Sequence, residues 1–234
     1  MSEDRLMVDV ANRAVPRLVM LGRQGSGKGE QSGRLAARLD IEHISTGALL
    51  RAAIRDATSL GSAAAEAVER GEPVSDGLVV GLVAERLAVA TALGRGVVLD
   101  GFPRTAAQAE RLAALAPATP IDLAIHLVVP RALAVSRIQS RRVCDSCGWS
   151  GRTARCGHCN RPTTRRADDW PAAIGRRMSE HDRQIGPLLD WFGARNALAV
   201  VDGVGAPDDV EDRVAEVVGR ALEGAHQRST ATAV

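Results

Sequence analysis

Short runs of apolar residues alternate along the chain with longer stretches in which apolar residues recur every three or four positions. The runs are typical of parallel strands covered on both faces. They lie at 17–21 (RLVML), 41–44 (IEHI), 96–100 (GVVLD), 122–129 (DLAIHLVV) and 198–202 (LAVVD). Helical spacing occurs at 29–39, 76–92, 105–115, 131–141, 171–195 and 207–223. The alternation predicts an α/β fold with helices on both faces of a parallel five-stranded sheet and ligands at the carboxyl ends of the strands.

Two stretches do not fit this alternation. Residues 46–75 have helical spacing without an intervening strand and predict a small helical insert. Residues 143–164 contain all four cysteines and predict a separate lobe. We expect the ends of the chain, 1–15 and 224–234, to be flexible tails. The predicted core then comprises residues 16–45, 76–142 and 165–223.

A glycine-rich loop, GRQGSGKG, joins the first predicted strand to the first predicted helix. Gly22, Gly27 and Lys28 have the spacing of a P-loop, whose backbone amides surround phosphate oxygens at a helix N-terminus. The usual Ser or Thr after the lysine is replaced by Gly29, and Glu30 follows. We expect the Glu30 side chain to point away, with only its backbone N–H facing a ligand. The alternative is a glycine-rich turn with an exposed lysine.

Composition narrows the choice of function. Of the 30 basic residues, Lys28 is the single lysine, which favours a specific role for its compact ammonium group. A net charge of +2 does not suggest a nucleic-acid or membrane surface. The chain has no apolar run of about 20 residues, and its N-terminus lacks the apolar stretch of a signal peptide. We therefore expect a cytoplasmic protein with one main core.

A carboxylate ends the third predicted strand, in GVVLDGFPR. Asp100 stands where a nucleotide enzyme places a carboxylate that orients hydrated Mg²⁺, and Arg104 follows within reach of the same edge. The alternative is an aspartate that only caps the next turn.

The cysteines form two C-x₂-C pairs, Cys144 with Cys147 and Cys156 with Cys159. Four thiolates at this spacing predict a closed tetrahedral Zn²⁺ site with a structural role. Disulfides are the alternative, but they are disfavoured in a reducing compartment. His158 is a less suitable ligand because Cys159 is available beside it.

Several segments together resemble the adenylate kinase family, of the bacterial type with a zinc-bearing lid. They are GSGKG, HISTGALLRAAI, LDGFPRTAAQAERL, RIQSRRVC, RRADD and VVDG, which occur in this order between about residues 17 and 222. In that family, the loop lysine is followed by Gly and then Thr, so Gly29 agrees with the family and Glu30 departs from it. Ala48 also departs, because the family has Asp in STGD. The eight residues between the two cysteine pairs make a shorter lid than the family has.

The resemblance implies a three-layer P-loop fold, in which the insert binds a nucleoside monophosphate (NMP) and the cysteine lobe is a zinc-ribbon lid. It implies that the ATP phosphates contact Gly25, Ser26, Gly27, Lys28, Gly29 and Glu30, and that Gly205 lies near the adenine. It places AMP against Thr46, Arg51, Glu72, Pro73, Val74, Gly101, Phe102, Pro103, Arg104 and Gln108. Arg137 and Arg141 would reach ATP and the transferring phosphoryl group, and Arg166 and Arg177 would hold both substrates. The implied catalytic set is Lys28, Asp100, Arg104, Arg137, Arg141, Arg166 and Arg177.

The resemblance favours a monomeric enzyme that converts ATP and AMP to two ADP, with Mg²⁺ bound to ATP. A kinase for another nucleoside monophosphate is the nearest alternative. A weakly active nucleotide sensor is a second, because Glu30 and Ala48 depart from the family. A nucleic-acid-binding zinc ribbon ranks last, since Trp149 is the only aromatic residue in the lobe that is available to stack on a base.

Overall fold

A computed structural model describes residues 15–69, 74–115, 120–166 and 169–231 of the chain. Its strands are β1 (Arg17–Leu21), β2 (Glu42–Ser45), β3 (Val97–Asp100), β4 (Leu123–Val128), β5 (Arg142–Val143), β6 (Ser150–Gly151) and β7 (Leu198–Asp202). Its helices are α1 (Lys28–Leu39), α2 (Thr46–Arg55), α3 (Ser59–Glu69), α4 (Asp76–Ala92), α5 (Ala106–Leu115), α6 (Arg131–Gln139), α7 (Pro171–Gly193) and α8 (Pro207–Ala231). None of these helices, within the described ranges, is long and apolar enough to cross a membrane.

The five long strands form one sheet in the order β2-β3-β1-β4-β7, and every pair in it is parallel. All five residues of β1, the central strand, are buried, because helices cover both faces of the sheet. The carboxyl ends of the strands meet at one edge, where Met20 is in register with Asp100. This arrangement confirms the predicted α/β fold and places the ends of β1 and β3 side by side.

Side chains of β1 alternate between two cores, one on each face of the sheet. Val19 and Leu21 pack with residues of α4, α5 and α7 on one face. Leu18 and Met20 pack with residues of α1 and α8 on the other. The molecule therefore has three layers, as predicted. A third, smaller cluster joins α6 to α7 through Ile138 and Met178 at the base of the cysteine lobe.

The stretch predicted as a helical insert contains two helices, α2 and α3. They pack closely where Gly61 meets α2, because a Cβ atom at Gly61 would lie 1.9 Å from the Ala53 carbonyl oxygen. The cysteine lobe holds the antiparallel pair β5 and β6, and a bridge between Val143 and Thr164 closes its base. Binding of a nucleoside monophosphate by the insert stays a prediction at this point.

Helix α8 differs from its prediction. It continues to Ala231, whereas the sequence pattern predicts an end at residue 223 and a flexible tail from 224. Its buried positions, Val210, Val214 and Val218, produce the apolar spacing, and that spacing stops before the helix does.

Candidate active site

The glycine loop is packed tightly against two neighbouring elements. Gly22 and Gly25 have positive φ angles of 138° and 82°. A Cβ atom at Gly22 would lie 2.7 Å from the carbonyl oxygen of Leu127, and one at Gly25 would lie 2.3 Å from that of Ala134. Larger residues are excluded at both positions, because the opposing atoms belong to the backbone of β4 and α6. The loop path is therefore held by its contacts before any ligand binds.

Lys28 is the first residue of α1, and its ammonium group closes the loop. Its Nζ donates a hydrogen bond of 3.0 Å to the carbonyl oxygen of Arg23. Burial lowers the pKa of Lys28 to about 8; Asp100 opposes this change, while the positive charges of Arg104 and Arg141 add to it. These four charged groups thus act on one another at the carboxyl edge of the sheet.

Two polar atoms of the loop are buried without a hydrogen-bond partner among the described residues. They are the hydroxyl oxygen of Ser26, a residue only 1% exposed, and the side-chain oxygen of Gln24. Unpaired buried polar atoms are costly, so a ligand or water that reaches them is favoured.

Arg23 ties the loop to two helices. Its guanidinium group lies 3.3 Å from Asp182 on α7, and the same carboxylate lies 2.8 Å from Arg131 on α6. Beside it, burial lowers the pKa of His181 to about 4, and the charges of Lys28 and Arg23 act in the same direction. His181 is therefore neutral at pH 7.

Asp100 lies at the end of β3, opposite the loop. The Ser45 hydroxyl donates a hydrogen bond of 3.5 Å to its Oδ2, and His43 Nε2 lies 3.7 Å from the same atom. Burial alone would raise the pKa of Asp100, but His43, Lys28 and Arg104 outweigh this effect and lower it. The carboxylate is therefore ionised at neutral pH, as a group that orients a hydrated cation must be.

The residues after β3 form a second polar group that includes two positions predicted to bind AMP. The backbone N–H of Arg104 donates 2.7 Å to Gln108 Oε1, and Gln108 Nε2 donates 2.6 Å to Asp76. The hydroxyl of Thr46 donates 3.2 Å to the carbonyl oxygen of Asp100. Thr46 and Gln108 are 7% and 6% exposed, which is unusual for polar side chains without a structural or binding role.

Asp169 holds two of the predicted arginines, and our sequence analysis did not identify it. Its carboxylate accepts hydrogen bonds of 3.0 Å and 2.6 Å from Arg141 and lies 3.5 Å from Arg177. Gln24 of the loop also donates to it, at 3.4 Å. With a side chain 4% exposed, Asp169 is a buried anion that gathers these cations next to the loop. The available signal was the RRADD segment, of which only Arg166 was used.

Arg137 and Gly205 lie at the far side of the loop. Arg137 donates to the carbonyl oxygens of Ser26 and Gly203, at 3.4 and 3.2 Å, so it braces the loop against the segment after β7. Gly205 has a φ of 124° in that segment, which Arg213 holds through the carbonyl oxygens of Asp202 and Val204.

The other predicted positions are more scattered. Arg51 is exposed on α2, and Arg166 lies where the chain returns from the cysteine lobe. Phe102 and Pro103 are buried and joined by a cis peptide bond, with Gly101 just before them. Val74 precedes α4. Glu72 and Pro73 lie outside the described residues.

The four cysteines meet in the lobe as a possible metal centre. Their sulfur atoms all lie within 4.8 Å of one another, with Cys144 to Cys159 and Cys147 to Cys156 each at 3.5 Å. Tetrahedral thiolate ligands about 2.3 Å from a metal ion would be about 3.8 Å apart, so the four sulfurs suit one ion. None of the cysteines forms a disulfide, in contrast to the alternative considered from the sequence.

Backbone amides favour the ionised form of one of these sulfur atoms, that of Cys156. The N–H groups of His158 and Cys159 donate to Cys156 Sγ at 3.3 and 3.4 Å. Burial acts against ionisation, but the hydrogen bonds from Cys159 and His158 outweigh it and lower the pKa of Cys156 to about 6.

Trp149 packs inside the lobe. A Cβ atom at Gly151 would lie 2.0 Å from its ring, and one at Gly157 would lie 3.2 Å from it. The two glycines therefore leave the space that the half-buried indole occupies, and the ring is the main apolar group within the lobe.

A glycine loop held between a buried strand and a helix, at the carboxyl edge of a parallel sheet, binds nucleotide phosphates in many proteins. Here the loop carries an ammonium group, and guanidinium groups lie beside it. Fold and loop together define a nucleotide-binding protein of the P-loop class.

Comparison with known proteins defines the family. The family model for adenylate kinase matches residues 20–197. A protein from Thermodesulfovibrio yellowstonii named adenylate kinase is 38% identical over 212 residues, which cover 86% of this chain and 98% of that protein. An adenylate kinase from Stenotrophomonas maltophilia is 39% identical over 200 residues, covering 85% and 96%. One from Salinispora tropica is 36% identical over 212 residues, covering 86% and 97%. The chain belongs to the adenylate kinase family.

Removal of metal should destabilise the cysteine lobe. Elemental analysis of the purified protein is expected to find about one equivalent of thiolate-bound metal. A strong chelator should lower Tm, because the lobe has little apolar material besides Trp149. Cys156→Ser should reproduce this loss, whereas Ser150→Ala, which changes an exposed residue of the same lobe that is not a sulfur ligand, should not. An unchanged Tm after complete metal removal would contradict a structural centre.

The lowered pKa of Lys28 predicts a pH dependence of stability. Its folded-state pKa of about 8 lies below the unfolded value of 10.5, so the unfolded chain binds more protons between these pH values. The cost of the buried ammonium is fully present below pH 8 and is relieved as pH rises towards 10.5. The unfolding free energy of the wild type, relative to Lys28→Met, should therefore rise between pH 7.5 and 9.5 by about 1–2 kcal/mol. Urea denaturation measures it, and a difference independent of pH would be inconsistent with the shift.

Proposed function

We propose that the protein catalyses reversible phosphoryl transfer from ATP to AMP, with two ADP as products. One observation carries the proposal beyond family membership: Lys28, Asp100, Arg104 and Arg141 share one electrostatic environment at the end of the loop. A cleft with this charge is suited to phosphates of two nucleotides placed end to end. Transfer of a phosphoryl group through a loose transition state depends mainly on alignment and charge neutralisation.

Each group then has a simple task on the donor side. The loop amides hold the ATP phosphates, and the Lys28 ammonium leaves its contact with the Arg23 carbonyl to bridge them. Arg141 and Arg177 face the transferring phosphoryl group and spread its negative charge. Asp169 keeps both guanidinium groups oriented, so that little reorganisation is needed when the nucleotides bind. Arg137 braces the loop, and Arg166 reaches the substrates from the lobe.

On the acceptor side, the helical insert and the segment after β3 hold AMP. Thr46 and Gln108 are buried polar groups placed to meet the base, and Arg51 and Arg104 bind its phosphate. Val74, just before α4, completes the described part of this side. Gln108 already has partners for its oxygen and one of its two N–H groups, so the other N–H is available to an adenine.

Two metal ions belong to the proposal. Ionised Asp100 at the strand end fits a role in orienting hydrated Mg²⁺ on ATP, where the ion neutralises phosphate charge. Zn²⁺ is the ion best suited to four thiolates at tetrahedral spacing. The zinc lobe serves as a short lid that excludes water from the cleft, so that AMP rather than water accepts the phosphoryl group.

One alternative function is favoured by a specific feature of the sequence, and another is disfavoured by the structure. A slow enzyme or nucleotide sensor is favoured by Glu30 and Ala48, the two departures from the family pattern. A nucleic-acid ribbon is disfavoured further by the packing of Trp149 on Gly151 and Gly157, since that face of its ring is covered.

We also propose that the enzyme acts as a monomer in the cytoplasm, where reduced thiols favour metal binding over disulfides.

A coupled assay tests the proposed function. ADP formation from ATP should be fastest with AMP as acceptor, compared with dAMP, CMP, UMP and GMP. Lys28→Ala should lower turnover at least about a hundredfold, since it removes a charge that meets the transferring group. Arg220→Ala, which removes an exposed guanidinium on α8, is the matched control and should leave turnover unchanged. ATP binding without turnover would identify a sensor, and a faster rate with another acceptor would identify a different kinase.

Asp169→Asn tests whether this carboxylate orients the guanidinium groups of Arg141 and Arg177. The amide keeps the size of the side chain but holds Arg141 and Arg177 less firmly, so kcat should fall by about tenfold to a hundredfold. KM for both nucleotides should change much less, because neither is contacted by Asp169 itself. Steady-state kinetics measure this split, with Asp190→Asn, which changes an exposed carboxylate on α7, as control. An unchanged kcat would show that the arginines are oriented by other groups.

A further inference from the structure

Glu30 places a carboxylate next to the loop that carries phosphate in the proposed function. It is the third residue of α1, and the first helical hydrogen bond is donated by the next residue, from Gln31 N–H to the Gly27 carbonyl at 3.0 Å. The amides of residues 28–30 come before that bond, so they stay available to an anion. A carboxylate in this turn stabilises the helix but repels a bound polyphosphate.

Arg34 lies one helical turn along α1 and contacts this carboxylate. Its NH2 lies 3.2 Å from Glu30 Oε1, and the Glu30 side chain is 53% exposed. Its NH1 lies 2.7 Å from both Asp208 and Glu211, which belong to α8. The Arg34 guanidinium group therefore forms ion pairs with three carboxylates from two helices.

Glu211 is the partner that orients Arg34. Its side chain is 25% exposed, whereas that of Asp208 is 86% exposed and contributes little through solvent. Gln31 Nε2 donates 2.9 Å to the Pro207 carbonyl oxygen, which holds the beginning of α8 against α1 at the same place. Contacts with α8 thus fix the direction of the Arg34 guanidinium group. The Glu30 carboxylate pairs with this group and is thereby directed away from the loop.

We propose that Arg34, held by Glu211, is a positioning residue that turns the Glu30 carboxylate away from the phosphate loop and cancels its charge. The affinity for the nucleotide on the loop then depends on Arg34, although Arg34 does not touch it. This inference rests on the proposed function. It also explains how the chain accepts glutamate where the family has threonine.

We expect Arg34 to affect binding of the ATP analogue and not of AMP, because the two sites lie on different faces of the sheet. Helices α1 and α8 pack on one face of the sheet, and α4 and α5 pack on the other. The groups proposed for AMP, Thr46 and Gln108, belong with the second face and its insert. A change at Arg34 should therefore weaken binding of the ATP analogue AMPPNP and leave binding of AMP unchanged.

A double-mutant cycle read by calorimetry tests the inference on the full-length protein. Arg34→Ala should weaken AMPPNP binding by about three- to tenfold, because Glu30 then faces the loop without its counter-ion. Glu30→Thr should bind AMPPNP at least as tightly as the wild type. In the Glu30→Thr background, Arg34→Ala should cost less than about twofold. Kd for AMP should change by less than about twofold in all four proteins.

Two further variants distinguish a loss of the Arg34 charge from a loss of folding. Arg34→Lys keeps the charge but loses the planar fork that contacts three carboxylates, so it should bind AMPPNP more tightly than Arg34→Ala and less tightly than the wild type. Arg220→Ala is the matched control, since Arg220 also contacts a glutamate four residues earlier, at 3.1 Å, on an exposed part of α8. It should leave both affinities unchanged.

The outcomes are distinct. An equal loss of AMPPNP affinity from Arg34→Ala in both backgrounds, or an equal loss for AMP, would overturn the inference while the proposed function stands. A wild-type protein that binds no AMPPNP would overturn both.

Discussion

Like charges collected at the carboxyl edge of the sheet repel one another, and two buried carboxylates hold them together. Asp100 faces Lys28 and Arg104, and Asp169 holds Arg141 and Arg177. Without anions, this cluster would disperse. Burial is the main reason that the pKa of Lys28 is lowered, and the charges of Arg104 and Arg141 lower it further. The same cost becomes a driving force when phosphates arrive, because they supply the missing negative charge.

Packing determines where these charges sit. The loop packs against backbone atoms of β4 and α6 at Gly22 and Gly25. These contacts fix the positions of its backbone amides and of the Lys28 backbone. Arg137 and Arg141 flank the end of α6, and Arg177 lies near the start of α7. The small apolar cluster around Ile138 and Met178 joins those two helices. A modest core at the base of the lobe thereby aligns arginines from different parts of the chain.

The chain departs from its family in ways that the structure partly compensates. The cysteine lobe is short, but the half-buried Trp149 packs against Gly151 and Gly157 and gives it an apolar contact. Glu30 is paired by Arg34 on the outer side of α1. Among the described residues, no contact compensates Ala48 in the same direct way.

The sequence by itself determined the elements, the loop and the cysteine group. Apolar spacing, glycine position and the two C-x₂-C pairs are local properties, since each acts over a few neighbouring residues. The five strands of the main sheet, most helix bounds and the fold class therefore follow from it, whereas β5 and β6 in the cysteine lobe were not predicted. The family resemblance supplied candidate roles for the arginines. Only the tertiary structure decided which of these groups meet. Asp169 and Arg141 are 28 residues apart, and Arg34 and Glu211 are 177 apart. No local pattern encodes such an approach, because it results from the packing of whole helices on the two faces of the sheet.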